Sequence, residues 1–371
     1  MGEAVQSLRR WAGRDARDAA GDGHPGRRRA DDPGSRRVGA GVLAAEEGID
    51  RLLRRLIPGL LFGFVVFLGI GLAGDLRQVG ARVQDFHWPL FLPVIALVLW
   101  NYLLRFLKWQ FFLGRVGVQD LPLLESARIF VAGFPLAVTP GKVGETLKAV
   151  WLRKASSLST ARGVSVVLAE RIGDGLAMLV LSLLGVIAYP QYWPAFLAVL
   201  ALLLSVILVS QIRPAALALL KLGERLPLIG RLSHSLHELY EGSYSLFRPG
   251  AALFSVAVGA VSWLAEGIAL YVVLLGLGVP PDRDTLALAV FVLAFSTVIG
   301  AMSALPGGLL ATDASIAGML VLLLGLEAGT AAAATLLIRL ATLWFAVALG
   351  LAVWVFSGDL LGLSERMKDE G

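Results

Sequence analysis

The chain has 371 residues, 57% of them hydrophobic, and a mean hydropathy of +0.74. A soluble domain of this length cannot bury so much apolar surface, so the composition indicates an all-α polytopic membrane protein. The absence of cysteine excludes disulfides, iron–sulfur clusters and cysteine-ligated zinc. The net charge of +5 comes from basic residues that flank apolar runs, which is typical of membrane orientation rather than of nucleic-acid binding.

Residues 1–48 are rich in Arg, Gly and Asp without an apolar period, and we expect a disordered N-terminal tail. A membrane domain follows over residues 49–360, and residues 361–371 form a short charged tail. Residues 214–248 are amphipathic and are expected to lie flat on the cytoplasmic surface as a linker. We predict about six full spans, at about 57–74, 90–112, 163–188, 195–212, 251–277 and 329–356.

The basic residues predict the orientation of this map. With the N-terminus inside, the basic groups that fall on the cytoplasmic side are those at 51–55, 105–115, 142–162, 213–248 and 366–368. By the positive-inside rule, the protein is predicted to be a multi-pass protein of the cell (inner or cytoplasmic) membrane with both termini in the cytoplasm.

Two Pro-Gly breaks interrupt the apolar sequence: the first spans residues 139–145 and the second residues 305–308. The runs on either side of the first break, 127–138 and 141–155, are each shorter than the roughly 20 residues that a span requires. Hydrocarbon tolerates a broken backbone only where protein or a water-filled cavity covers it. We therefore predict a re-entrant hairpin of two half-helices at each break, the second formed by about 286–304 and 309–325.

The two breaks lie in segments with the same order of features, about 90–188 and about 251–356. Each segment contains a Pro-Gly pair, then an acid, then an arginine. The acid and the arginine are Glu145 and Arg171 in the first segment, and Asp313 and Arg339 in the second. Three full crossings separate the starts of the segments, and an odd number reverses orientation. We therefore predict inverted repeats, an architecture of transporters with a site near the midplane.

Several charges fall inside predicted spans. Those in the third span are Glu170, Arg171 and Asp174. Each charge at mid-bilayer costs roughly 2.5–3.5 kcal/mol, so we expect partners, with Lys142 and Arg339 as the candidates. Glu266 in the fifth span has no evident partner. The charges form either a salt-bridged scaffold for the hairpins or a path for a substrate or protons.

The breaks also predict a phosphate site. Thr139 is a good N-cap for a half-helix, and Gly141 and Gly144 allow close backbone approach. Free N–H groups and the positive end of the half-helix would then face a ligand beside Lys142. The glycines that could act likewise at the second break are Gly307 and Gly308.

The stretch Pro140-Gly141-Lys142-Val143-Gly144-Glu145, followed by Glu170-Arg171 and Asp174, resembles the signature of the lysylphosphatidylglycerol synthase transmembrane-region family. Pro306-Gly307-Gly308 and Arg339 fit the later part of that pattern, and the resemblance covers about residues 50–360. It implies a flippase-like domain that moves a lipid headgroup between leaflets.

Two departures from the family qualify this resemblance. Bifunctional members also carry a cytosolic aminoacyl-tRNA-dependent transferase domain, which we do not expect in this chain. After the second break the family pattern leads us to expect a further glycine and a glutamate, whereas the chain has Leu309, Leu310 and then Asp313.

The leading hypothesis is a translocase for an anionic or aminoacylated phospholipid or a polyprenyl-phosphate lipid. The alternatives are a membrane-embedded enzyme acting on a lipid phosphate, and a non-catalytic membrane partner of a separate glycosyltransferase or synthase. We recognise no catalytic motif and expect no cofactor, metal or nucleic acid; membrane lipids are the expected partners, and a homo-oligomer is left open. The predicted headgroup-binding residues are Lys142, Arg171, Arg339, Gly141, Gly144, Gly307 and Gly308. Their predicted charge partners are Glu145, Glu170, Asp174, Glu266 and Asp313.

Overall fold

The computed structural model describes residues 76–186, 193–212 and 233–357, together with Val65 and Gly69. Within these ranges the chain is all-α, and five helices are long and apolar enough to cross a membrane by length and composition. The prediction of an all-α, multi-pass membrane protein is therefore confirmed. The predicted tails, 1–48 and 361–371, lie outside the described residues.

The α-helices are numbered in chain order. They are α1 Leu76–Gln84, α2 Phe91–Arg115, α3 Leu123–Ala132, α4 Leu147–Ala155, α5 Thr160–Val186, α6 Trp193–Gln211, α7 Ser233–Leu246, α8 Pro249–Gly276, α9 Arg283–Met302, α10 Ala311–Leu324, α11 Ala328–Arg339 and α12 Phe345–Phe356. A five-residue π-helical turn, Leu340–Trp344, joins α11 to α12. Short 3-10 segments occupy Trp88–Leu90, Phe134–Val138, Pro140–Thr146 and Pro306–Gly308.

Three of the six predicted spans correspond to membrane-length apolar helices. The predicted span at about 90–112 is α2, that at about 251–277 is α8, and that at about 329–356 is α11 with α12. The predicted fourth span corresponds to α6, whose apolar part, Phe196–Leu208, is shorter than a membrane span. Of the predicted first span, 57–74, the structure describes two residues, both helical.

The predicted third span is α5, whose 27 residues are long enough to cross a bilayer. It is not among the five apolar helices because any 18-residue stretch of it contains Glu170, Arg171 and Asp174. These charges must therefore be covered by other helices wherever α5 lies in the membrane.

The helices around the two breaks differ in length. Beside the first break, α3 has 10 residues and α4 has 9. Beside the second, α9 has 20 residues, and the stretch Pro306–Leu324 has 19; each is apolar and long enough to cross by length and composition. The first break thus lies between two short helices, whereas the second follows a helix of membrane length and precedes the 14-residue helix α10.

Among the described helices, the most extensively packed pair, α2 and α8, is antiparallel. The Asn101 side-chain amide donates to the Ser262 carbonyl at 3.0 Å, and the Ser262 hydroxyl donates back to the Asn101 carbonyl at 3.2 Å. Both residues are fully buried, so this reciprocal pair satisfies polar groups that would otherwise be costly in an apolar interior. It also fixes the register of the two helices.

A hydrogen bond marks each end of this helix pair, and we name the ends after His87 and Arg115. At the His87 end, the His87 N–H donates to the Gly276 carbonyl at 2.9 Å. At the Arg115 end, the Ser245 hydroxyl donates to the Arg115 carbonyl at 3.2 Å.

The segment around the first break starts and finishes at the Arg115 end. Gly117 and Val118, just after α2, line one polar pocket together with Ser157, Ser159 and Arg162, which precede or open α5. The chain therefore leaves α2 and returns to α5 at the same end of the bundle.

The segment around the second break starts and finishes at the opposite end. It begins just after Gly276, which contacts His87. It finishes at Glu327, whose carboxylate pairs with Arg82 of α1 at 2.6 Å, five residues before His87.

The described part of the predicted linker 214–248 is α7, which packs along α5. Tyr240, Ser243 and Leu246 are buried, and a Cβ at Gly242 would lie 2.2 Å from the Ser165 hydroxyl. This part of the linker is therefore held against protein rather than lying only on the membrane surface. Residues 213–232 lie outside the described residues.

Close backbone contact between α4 and α5 generates a stability prediction. A Cβ at Gly163 would lie 2.7 Å from the Ala149 Cβ and 2.9 Å from its Cα. Because backbone cannot move aside as a flexible side chain can, Gly163→Ala should lower the free energy of unfolding by about 1–3 kcal/mol. Thermal unfolding in detergent micelles measures this as a lower Tm.

The matched control is Gly318→Ala in α10, where a Cβ would meet open space. This change should leave Tm unchanged or raise it, because alanine favours a helix by up to about 1 kcal/mol over glycine. An equal fall of Tm in both variants would contradict the close packing of α4 on α5.

Candidate functional site

The two Pro-Gly breaks meet inside the bundle. The Gly141 N–H of the first break donates to the Ala304 carbonyl, beside the second break, at 2.8 Å. Both residues have left-handed backbone conformations, with φ of 59° and 53°. Non-glycine residues rarely adopt this region, so Ala304 carries local strain at the contact.

The first break uses its own backbone donors. Thr139 lies in extended conformation, and its hydroxyl oxygen accepts from the Gly144 N–H at 2.8 Å. The Lys142 N–H donates to the Thr139 carbonyl at 2.9 Å. The expectation of free N–H groups is therefore wrong for Gly141, Lys142 and Gly144. Thr139 accepts from the last two, and the Ala304 carbonyl beside the second break accepts from Gly141. The regular helix begins only at Leu147.

The second break is held by the acid and arginine that follow it. The Asp313 carboxylate accepts from the Leu310 N–H at 2.9 Å and pairs with the Arg339 guanidinium at 2.6 Å. Arg339 also donates to the Gly307 carbonyl at 3.1 Å. One arginine thus ties α10, α11 and the break together.

A cavity of about 120 Å³ lies where the breaks meet. Aromatic side chains form much of its apolar wall: Tyr102, Phe130, Phe134 and Trp263. Its charged wall consists of Arg105, Lys142, Lys148, Arg171 and Arg339 with Glu145 and Glu266. The wall is therefore predominantly cationic and lies within a bundle of membrane-length helices.

Arg171 links the first break to α5. Its guanidinium lies 3.4 Å from the Glu145 carboxylate and 3.4 Å from the Asp174 carboxylate one turn along α5. Asp174 also pairs with the ammonium group of Lys108 and lies 3.8 Å from Arg105. One carboxylate therefore positions two cavity-lining arginines.

A second buried pair holds α4 against α5. The Lys148 ammonium donates to the Glu170 carboxylate at 2.6 Å and lies 4.7 Å from the centre of the Trp109 ring, within the range of a cation–π contact. Both charged side chains are almost fully buried. The partner of Glu170 is thus Lys148.

The predicted partners of the α5 acids are wrong. The candidates Lys142 and Arg339 form no ion pair with Glu170 or Asp174. The partner of Glu170 is Lys148, and those of Asp174 are Lys108, Arg171 and Arg105. The missed residues carried a signal: Asn101, Arg105 and Lys108 follow one another at i, i+4 and i+7, which places a polar stripe on one face of α2. The positive-inside rule predicts Arg105 and Lys108 to be cytoplasmic charges, whereas Lys108 is fully buried.

The structure brings most predicted site residues together. Those that line the cavity are Lys142, Arg171, Arg339, Gly307, Gly308, Glu145 and Glu266. Glu170, Asp174 and Asp313 lie directly behind cavity residues as their ion-pair partners. Gly141 and Gly144 belong to the first break but are not part of the cavity wall.

Two cavity charges remain without an ion pair within the described residues. They are Lys142, which has a left-handed backbone with φ of 56°, and Glu266, which is 5% exposed. In the same ranges, no group of three His, Asp or Glu side chains could hold a metal ion.

The π-helical turn after Arg339 also contributes to the cavity, through Thr342 and Leu343. The Tyr102 hydroxyl of α2 donates to the Thr342 carbonyl at 2.7 Å. Single π turns within helices recur at functional sites because they widen the helix and free backbone groups. Here the turn anchors α2 to the helix that carries Arg339.

The comparison with family models matches residues 57–350 to the lysylphosphatidylglycerol synthase TM region. The chain belongs to this family. The family assignment covers both breaks and every residue of the charged cavity wall.

Two curated relatives come from Methanothermobacter thermautotrophicus, and both are described as UPF0104 membrane proteins. One is 26% identical over 265 residues, which cover 66% of this chain and 77% of the relative. The other is 26% identical over 253 residues, which cover 61% of this chain and 72% of the relative. These relatives support a membrane protein and leave its chemistry to be argued from the site.

The buried Lys148–Glu170 pair generates a double-mutant prediction. Removing one partner leaves an unpaired buried charge, so Lys148→Met or Glu170→Gln should each lower the free energy of unfolding by about 3–5 kcal/mol. The double variant should be more stable than either single variant because no buried charge remains unpaired. Chemical unfolding in detergent micelles provides the comparison.

The control pair is Arg82–Glu327, whose side chains are 43% and 72% exposed. Glu327→Gln should cost less than about 1 kcal/mol, as exposed ion pairs contribute little. Strictly additive costs for the Lys148 and Glu170 changes would disprove their energetic coupling.

Proposed function

We propose that the protein moves a lipid with an anionic phosphate headgroup between the leaflets of the cell membrane. The observation that carries the proposal is the excess of positive charge at the cavity. Six cations, namely Arg105, Lys108, Lys142, Lys148, Arg171 and Arg339, face five carboxylates, namely Glu145, Glu170, Asp174, Glu266 and Asp313. In the described part of the chain this cluster has a formal charge of +1, which favours a monoanionic ligand.

Lys142 is the proposed first contact for the phosphate. Its ammonium group lacks a counter-ion among the described residues, so it can bind an anion without breaking an existing ion pair. Arg171 and Arg339 line the same cavity and can add charge-assisted hydrogen bonds of about 1.5–3 kcal/mol each. The acyl chains would stay in the bilayer while the headgroup occupies the cavity.

We also propose that the two segments are inverted repeats. After α2, Gly117 has φ of 91°, and after α8, Gly278 has φ of 85°. Each helix end has the same closing bond, from Val118 N–H to Leu113 and from Val279 N–H to Leu274, at 3.0 Å in both. These equivalent helix ends support two copies of one unit.

Packing across the segments supports the same relation. α5 of the first segment packs on α9 of the second, and α12 of the second packs on α3 of the first. The antiparallel pair α2 and α8 lies between them, so an axis through the Asn101–Ser262 contact would exchange the two segments.

Re-entrant hairpins are part of this proposal. The segment around the first break begins and ends at the Arg115 end, and the segment around the second break begins and ends at the His87 end. The two breaks meet between these ends. Exposed basic residues concentrate at the Arg115 end, among them Arg153, Lys154 and Arg162. We therefore propose that this end, and both termini, face the cytoplasm.

Cysteine labelling tests the hairpins and orientation, because the chain has no cysteine of its own. Single cysteines at Asp120 and Ser157 should react with a membrane-impermeant maleimide from the cytoplasmic side. Cysteines at Asp284 and Glu327 should react from the opposite side. Right-side-out and inside-out membrane vesicles provide the measurement.

Labelling of positions 120 and 157 from opposite sides would show that the first segment crosses the membrane instead of folding back. The same outcome at 284 and 327 would exclude the second hairpin. Each hairpin is thus tested independently of the other.

Lipid movement in proteoliposomes tests the function. The wild-type protein should transfer fluorescent phosphatidylglycerol between leaflets faster than phosphatidylcholine. Lys142→Gln should slow transfer by about tenfold or more, because loss of one charged contact costs about 1.5–3 kcal/mol. Glutamine keeps a flexible side chain with a polar end. It faces the same left-handed backbone conformation as lysine, so the substitution mainly removes the charge.

Arg82→Gln, which removes a surface charge outside the cavity, serves as the control and should keep the wild-type rate. Wild-type rates in Lys142→Gln would remove this residue from the mechanism. Equal rates for protein-free and protein-containing liposomes would exclude the proposed function for this lipid.

A further inference from the structure

Glu266 of α8 has a buried carboxylate without a role in the transport proposed above. It lines the cavity, is 5% exposed, and forms no hydrogen bond or ion pair within the described ranges. The other four carboxylates of the cluster each pair with a cation. Glu266 alone in this cluster depends on charges at a distance.

The charges that act on Glu266 come from several elements around the cavity. They are Arg105 of α2, Arg339 at the end of α11, Lys142 of the first break and Asp174 of α5, with the Tyr102 hydroxyl of α2 nearby. The part of α9 that lines the cavity contributes no titratable side chain. Lys142 and Arg339, proposed above as phosphate contacts, are thus among the cations that stabilise the Glu266 carboxylate.

A bound phosphate and an ionised Glu266 would compete for those cations. Cations that bind the phosphate would stabilise the Glu266 carboxylate less than they do in the empty cavity. The negative phosphate would also repel the carboxylate. An ionised carboxylate without compensation is costly in a buried site, and binding a proton removes that cost.

We propose that Glu266 is a proton-binding site that loads together with the anionic headgroup. This inference rests on the proposed function. The headgroup brings one negative charge and the carboxylate gains one proton from water on the same side, so the formal charge of the cluster stays at +1. On release at the other leaflet, the headgroup leaves and the carboxyl returns its proton to water there.

Proton uptake by the purified protein tests this proposal. Phosphatidylglycerol, whose phosphodiester stays a monoanion at neutral pH, is added to wild type in weakly buffered detergent solution with a pH indicator. We expect about one proton taken up per lipid bound, and binding that strengthens as pH falls, by at most about tenfold per pH unit for one linked proton. Glu266→Gln should bind the lipid without proton uptake and without this pH dependence.

Two further variants serve as controls. Glu266→Asp keeps a titratable carboxyl and should retain proton uptake, whereas a purely structural role would not distinguish aspartate from glutamine in this way. Glu327→Gln makes the same chemical change at the exposed surface and should behave as wild type.

The outcomes separate the two proposals. Equal proton uptake by wild type and Glu266→Gln, with lipid bound by both, would overturn the proton site and leave the translocase proposal standing. No binding of phosphatidylglycerol by wild type at any pH would overturn the proposed headgroup site, and the proton site with it.

Discussion

An ion inside an apolar helix bundle must have a partner, and this constraint organises the molecule. Removing an ionised group from water costs several kcal/mol, which attraction offsets only where opposite charges lie in contact. Asp174 meets this condition with cations from α2 and its own helix, and Glu170 meets it with Lys148 of α4. The long charged helix α5 can therefore lie inside the bundle only while α2 and the first break segment cover it.

The same constraint explains how the breaks are built. A broken helix exposes N–H and C=O groups that hydrocarbon cannot satisfy. At the first break a threonine hydroxyl and local turns satisfy them, and at the second an aspartate and an arginine do so. The breaks also bond to each other through Gly141 and Ala304. Charged side chains are left to form the proposed ligand site, because the N–H groups of Gly141, Lys142, Gly144 and Leu310 are already bonded.

The sequence predicted the parts of this arrangement that follow from local rules. Hydropathy located α2, α8 and the last helix, and the Pro-Gly pairs located both breaks. The pairing of charges could not be read in the same way, since the distance from Lys108 to Asp174 depends on how α2 and α5 cross. The one local clue was the spacing of Asn101, Arg105 and Lys108, which marks a polar face on an otherwise apolar helix. The sequence predicts Thr139 as an N-cap, but its hydroxyl accepts from the more distant Gly144 N–H, because two consecutive left-handed residues replace the expected first helical turn.

Under the proposed repeat, the two halves share backbone geometry but differ in electrostatics. In the first half Arg171 is shared between two carboxylates, and Lys142 stays available in the cavity. In the second half Arg339 is bound to Asp313 and to the Gly307 carbonyl, so it is held more firmly. A symmetric backbone would give both sides of the membrane equivalent routes to the cavity. The asymmetric charges then assign the first contact with an anion to the first break, and they leave Glu266, on the central helix α8, within electrostatic reach of cations from both halves. Under the proposed proton coupling, a carboxyl in that position would respond to the ligand whichever half holds it.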